Sequence, residues 1–194
     1  MQQTFTDPRD GYSYRIVKLR DGNWWLAENL RYEMPDSFPA DKKPDENILA
    51  TNPDYDWRKY GRLYTWAAAR KASPLGWHLP SSREWKRMLK FYGGHGEGLG
   101  NDKSTDDLPT LIRSELDMEF GGFVNTANLQ DISPSRVSYG YFYGSMGARF
   151  WSSSRALLPF RIPSGIYFRF IPGGSAGRDQ ENVEKAFSVR CIRD

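Results

Sequence analysis

A single cysteine, Cys191, stands in the 194 residues. It excludes an internal disulfide framework and a zinc site built on thiolates. Histidine is nearly as scarce: His78 and His95 are the only two, so a three-histidine iron site cannot be assembled. No apolar run approaches the length that spans a bilayer. The stretch from Met1 to Asp10 is polar and lacks the basic and apolar zones of a signal peptide. That leaves either a cytoplasmic protein or a mature or engineered start. An excess of one charge is missing too. The formal net charge is +3, spread along the chain with no dense basic patch, so nucleic acid is not an expected partner. Also absent are a Gly-x-Ser-x-Gly elbow, a phosphate-binding Gly-Lys-Ser/Thr loop and a His-Glu-x-x-His helix.

Aromatic residues, by contrast, reach 15% within a hydrophobic share of only 39%. Much of the core must therefore be Trp, Tyr and Phe. Eighteen Gly and twelve Pro point to many turns rather than long helices. The length suits one domain, 1–194, with a long loop or insertion at about 31–60, where Pro, Asp, Lys and Asn accumulate.

The stretch 12–19 reads as a strand, Asp21-Gly22 as a hairpin turn and 24–27 as the returning strand. Residues 63–72, with three consecutive alanines, predict a helix carrying Leu63, Trp66 and Ala67 on one side. The clearest local signal is Ser81-Ser-Arg-Glu84, a capping box opening a helix with Trp85, Met88, Leu89 and Tyr92 at helical spacing. That helix should stop at Gly93-Gly94. A glycine-rich acidic loop follows, then a third short helix through Leu108, Leu111, Ile112 and Leu116. From there the chain reads as β, with strands near 122–125, 137–143, 150–153, 166–171 and 186–192. In the last, Phe187, Val189 and Cys191 share one face, which turns the thiol inward. The pattern is α+β: short helices packed on twisted antiparallel sheets, with the N- and C-terminal strands paired.

Five ordered segments carry a resemblance: Asp21-Gly-Asn-Trp-Trp-Leu-Ala-Glu-Asn-Leu30, Tyr60-Gly-Arg-Leu-Tyr-Thr-Trp66, Gly76-Trp-His-Leu-Pro-Ser-Ser-Arg-Glu-Trp85, Phe150-Trp-Ser-Ser-Ser154 and Phe187-Ser-Val-Arg-Cys-Ile192. Together they resemble the Fibrobacter succinogenes major paralogous domain. The resemblance implies a C-type-lectin-like fold, of the branch shared with formylglycine-generating sulfatase modifiers. It also implies secreted or surface lipoproteins of Bacteroidetes-type and Fibrobacter-type bacteria, with no established activity. Members of that family often carry a cysteine just before the Pro-x-Gly-Trp-His segment, as a partner for the cysteine of the last strand. Here Ser73 stands at that position, so the resemblance implies a free, buried Cys191.

Candidates for chemistry are few. Trp24, Trp25, Trp66, Trp77, Trp85 and Trp151 read as core rather than as sugar-stacking platforms. His78, between Trp77 and Leu79, reads as a structural histidine. His95 lies in a glycine loop with no second histidine near it in sequence. Asp102-x-Ser104-x-Asp106 resembles the start of a calcium loop, yet Asp107 replaces the required Gly and Arg113 the required Glu. No cofactor is expected, and a structural calcium in the 97–107 loop is the weaker alternative to a solvated acidic loop. A lone cysteine cannot supply the redox-active pair that formylglycine generation needs. Glu28 and Glu84 form a conceivable carboxylate pair, but a hairpin end and a helix cap account for them better.

The expected function is therefore non-catalytic recognition of a glycan or protein ligand, and the resemblance implies that it takes place at a bacterial surface or outside the cell. The ligand-binding candidates are Tyr141, Tyr143, Arg155, Arg161, Tyr167, Arg169 and Arg178, chosen as exposed aromatic and arginine residues of the second half. Tyr139 is a further strand residue expected to be exposed, and a solvated sheet face is the competing reading for all of these strand positions. A structural or tip subunit of a surface assembly is one alternative. A divergent catalytic relative of the sulfatase modifiers is the other.

Overall fold

The computed structural model describes residues 3–39, 60–92, 114–116, 118, 123–125, 148–157, 163–170 and 176–194. The expected strand at 137–143, the loop at 93–107 with His95, and most of the expected third helix lie outside these residues. Within them the protein is α+β and mainly β, with short helices set among antiparallel sheets.

The chain opens with β1 (Gln3–Thr6) and β2 (Ser13–Lys18), followed by β3 (Trp24–Leu26). The turn between β2 and β3 forms as its residues dictate. Gly22 takes φ 85°, a left-handed conformation that glycine adopts without steric cost. The Asp21 carboxylate accepts hydrogen bonds from the Asn23 backbone and side chain and from the Trp25 indole. Next come β4 (Ser37–Pro39) and β5 (Arg62–Thr65), then helix α1 (Trp66–Ala72). β4 falls inside the expected 31–60 loop, so that stretch is not wholly irregular. The rest of it, 40–59, lies outside the described residues.

The helix expected over 63–72 begins three residues later. Leu63 and Tyr64 are buried strand residues, and Thr65 caps the helix by accepting from the Ala68 amide. Alanine-rich composition gives the helix, but the Thr65 cap sets where it starts. Ala67 consequently faces solvent, while Trp66, Ala68, Ala69 and Ala72 are buried.

The edge strand β6 (Trp77–His78) leads into helix α2 (Ser82–Phe91). Its capping box is complete: the Ser81 hydroxyl accepts from the Glu84 amide and the Glu84 carboxylate accepts from the Ser81 amide. Trp85, Met88 and Leu89 point inward as spaced. The second half supplies β7 (Val124–Asn125), β8 (Ala148–Leu157), β9 (Pro163–Phe170), β10 (Ala176–Asn182), β11 (Lys185–Phe187) and β12 (Ile192–Arg193).

These strands make three sheets, ordered β1-β2-β3-β12-β6, β4-β5-β11-β7 and β10-β9-β8. The terminal strands share the first sheet but do not pair with each other, contrary to the sequence expectation. β1 is mostly exposed and takes the edge. Ile192, 2% exposed, lies between Trp25 of β3 and His78 of β6. The 186–192 segment is also not one strand, because β11 and β12 belong to different sheets. Its alternation survives: Phe187, Val189 and Cys191 all enter one core cluster.

Two aromatic clusters fill the interior. In the first, Trp85 meets Trp25, Phe150 and Phe168 at centroid distances of 5.0, 5.7 and 5.5 Å. In the second, Trp66, Trp77 and Trp151 pack with Tyr167, Phe187 and Cys191. Two indoles are also pinned by hydrogen bonds, Trp66 to the Ser152 carbonyl and Trp151 to the Tyr64 carbonyl, at 2.9 and 2.8 Å. Of the six tryptophans expected inside, five are buried and Trp24 is half-buried. No described helix is long and apolar enough to cross a membrane.

Candidate functional site

The β10-β9-β8 sheet has two distinct faces, because alternate side chains of a strand point opposite ways. Ile166, Phe168 and Phe170 of β9 enter the first cluster. Gly165, Tyr167 and Arg169 point the other way, and the strand register extends them into three cross-strand rows. Arg149, Arg169 and Gly177 form one row; Trp151, Tyr167 and Asp179 the next; Arg155, Gly165 and Glu181 the third. A bulge between Trp151 and Arg155 carries β8 across the last two rows. Gly165 has no side chain for a physical reason: a Cβ there would lie 2.5 Å from Trp66 and 2.8 Å from Trp151.

The middle row is closed. Tyr167 is 5% exposed and donates its hydroxyl to Asp179 at 3.1 Å, and burial pushes its pKa up to about 12. Tyr167 is thus a core residue and not the exposed ligand contact that the sequence suggested. Its ring is needed against Phe187, 4.8 Å away, and Trp151. Arg155 and Arg178 are exposed and Arg169 is partly exposed. Arg178 pairs with Phe168 and so lies on the opposite face from Arg169. Tyr139, Tyr141, Tyr143 and Arg161 lie outside the described residues.

Arg149 was not among the sequence candidates. Its guanidinium lies over the Phe123 ring, 4.1 Å from the centroid, and its Nε is buried without a hydrogen-bond partner. Burial lowers its pKa, and Arg169 adds to that, against Tyr167, Glu181 and Asp179. The Arg-Phe-Trp run at 149–151 gave no hint of this, because only the β8–β9 register makes Arg149 and Arg169 neighbours.

Among the described residues, His78, Glu84, Glu28 and Cys191 are engaged in structural contacts. His78 contacts Asp194 through Nδ1 at 2.6 Å and Glu84 through Nε2 at 2.9 Å. Although burial opposes it, the two carboxylates raise the His78 pKa above its usual value. Glu84 also closes the α2 cap, and its pKa is lowered by Ser81 and His78 against the opposing effect of burial. Glu28 accepts from the Arg15 amide at 2.8 Å and from the Tyr12 hydroxyl at 3.1 Å. The Cys191 thiol is buried, with a pKa pushed up to about 12 by that burial, and lies 3.4 Å from the Ser73 hydroxyl. Among the described residues no group of three or more His, Cys, Asp or Glu is placed to hold a metal ion. The 97–107 loop, the alternative calcium site, lies outside them.

Comparison with protein families matches residues 20–193 to the Fibrobacter succinogenes major domain. The chain belongs to this family. No curated protein and no solved structure matches it. The five motif segments that resembled the Fibrobacter succinogenes major domain are scaffold wherever they are described. Asn29 of the first, 1% exposed, donates to the Tyr60 carbonyl at the start of the second. The third supplies β6 and the α2 cap. In the fourth and fifth, the Trp151 amide donates to the Ser188 carbonyl and the Ser188 amide to the Arg149 carbonyl, joining the three-stranded sheet to the segment after β11.

Proposed function

We propose that this domain is a non-catalytic recognition module with a C-type-lectin-like fold, carried by a bacterial surface or secreted protein. Its ligand contacts are placed on the β8–β9–β10 sheet and the loops beside it. One observation carries the reading. Arg149, Arg155, Arg169 and Arg178 sit on paired strands, yet none forms an ion pair with another described residue. The candidate acids and bases, in contrast, are committed to caps and hairpin ends. A rigid scaffold with charge not held in ion pairs suits binding, since selectivity then comes from positioned side chains rather than from reactive groups. The lectin-like assignment draws support from the α+β layout and from the large sheet that gathers strands from both halves of the chain. Family membership supports the extracytoplasmic placement.

The test is glycan-array and surface-protein binding by the purified domain, alongside its mass in solution. Saturable binding by a monomer is the expected result. Self-association with no ligand signal would move the assignment to a structural subunit of an assembly. Turnover of an arrayed substrate would move it to a catalytic relative of the sulfatase modifiers.

A further inference from the structure

Arg149 and Arg169 are directly opposed on adjacent strands, so their Cβ atoms are about 5 Å apart on one face of the sheet. Like charges in that relation repel each other and destabilise the pair unless something compensates. The nearby acids do little to compensate. Asp179 is held by the Tyr167 hydroxyl at 3.1 Å and by the Gln180 amide at 2.8 Å. Glu181 is held by Lys185 at 2.7 Å. Among the described residues no carboxylate comes within ion-pair distance of either arginine. The third place in the row is Gly177, where a Cβ would meet nothing within 4 Å, so the row is open toward β10. Arg149 is in addition fixed on Phe123, with a buried Nε that has no partner.

We infer that Arg149 and Arg169 form an anion subsite that takes the carboxylate of an acidic saccharide, a uronic acid residue of a glycan. The inference rests on the recognition reading above and adds the ligand's chemistry. Guanidinium groups present planar forks that match a carboxylate. A saccharide fits better than a protein partner because the described residues around the pair offer no bare apolar anchor of the kind that dominates protein interfaces. Phe187, Trp151 and Tyr167 are buried, and Arg149 lies over Phe123. The large apolar side chains that are well exposed among the described residues, Leu75 and Phe91, belong to the α1–β6 turn and the end of α2.

Calorimetric titration with trigalacturonate, with a neutral galactose trisaccharide and with a glutamate-rich peptide tests this. The wild-type domain should bind trigalacturonate, with affinity falling as salt rises. Arg169→Gln, which removes a partly exposed side chain, should weaken binding about tenfold or more, equivalent to about 1.4 kcal/mol. Arg149→Lys should weaken it as well, because charge is kept and the fork is lost. Arg83→Gln, on the exposed side of α2, should change nothing. Unaltered affinity in Arg169→Gln, equal binding of the neutral trisaccharide, or no uptake of trigalacturonate would each overturn the subsite. Tighter, Arg169-dependent binding of the peptide would overturn the saccharide assignment in favour of a protein partner. The broader recognition reading survives these failures if the arrays give a neutral or protein ligand, and falls if they give none or show turnover.

Discussion

The His78 imidazole is gripped from both sides, by Asp194 beyond β12 and by Glu84 in the α2 cap. Its pKa is raised above 6.5 and that of Glu84 is lowered below 4.5. Stability from the histidine is therefore complete below about pH 6.5 and is lost as pH climbs through the raised folded value. Stability from the carboxylate is present above about pH 4.5 and is lost as pH falls through the lowered one. The contact is strongest between those limits. His78 is 40% exposed, so solvent screening holds the effect to about 1 kcal/mol or less. Urea unfolding from about pH 5 to 9 should show a decline for the wild type above pH 6.5 that His78→Gln lacks. Parallel curves would refute the linkage. Ser73 and Cys191 give a second test at this scale. With γ atoms 3.4 Å apart, Ser73→Cys should form a disulfide with Cys191, seen as loss of free thiol, and add about 2–4 kcal/mol. In the parent protein the buried thiol should react with a thiol reagent only after denaturation.

At the scale of elements, local chemistry and long-range pairing divided the work. The α2 capping box and the Asp21-Gly22 turn were legible because every group they need lies within a few residues. Ser81→Ala should accordingly cost about 1 kcal/mol in thermal or urea unfolding. β10 was invisible for the opposite reason. Ala-Gly-Arg-Asp-Gln-Glu-Asn carries no β-branched or aromatic residue, and it becomes a strand through its partnership with β9. The start of α1 was misplaced because alanine-rich sequence speaks for helix and says little about where the helix begins. The burial of Tyr167 is not legible in the sequence, because alternation distinguishes the faces of a strand without telling which are covered. Trp66 and Trp151 cover that face, and they do so by lying against the bare backbone of Gly165. Gly165→Ala should force both indoles to shift and cost about 1–3 kcal/mol. A melting temperature equal to that of the parent would show that the two rings can yield freely.

For the whole molecule, the family and the aromatic interior could be read in advance, because five tryptophan-bearing or core-forming segments keep their order along the chain. The arrangement of three sheets could not. It depends on which distant strands meet, and Arg149 opposite Arg169 is the instance that bears on function. The position of β12 shows the same dependence. Without residues 190–194 the large sheet would lose the strand between β3 and β6. The Trp25 side chain would lose a buried neighbour in Ile192. A chain shortened in this way should lose its near-ultraviolet circular dichroism and be digested quickly by protease. Native-like spectra would mean that β3 and β6 can hold their places unaided. During translation the same geometry delays closure: no nascent length short of residue 193 contains the piece that joins the two flanks, so β3 and β6 face an open seam until that residue has been added.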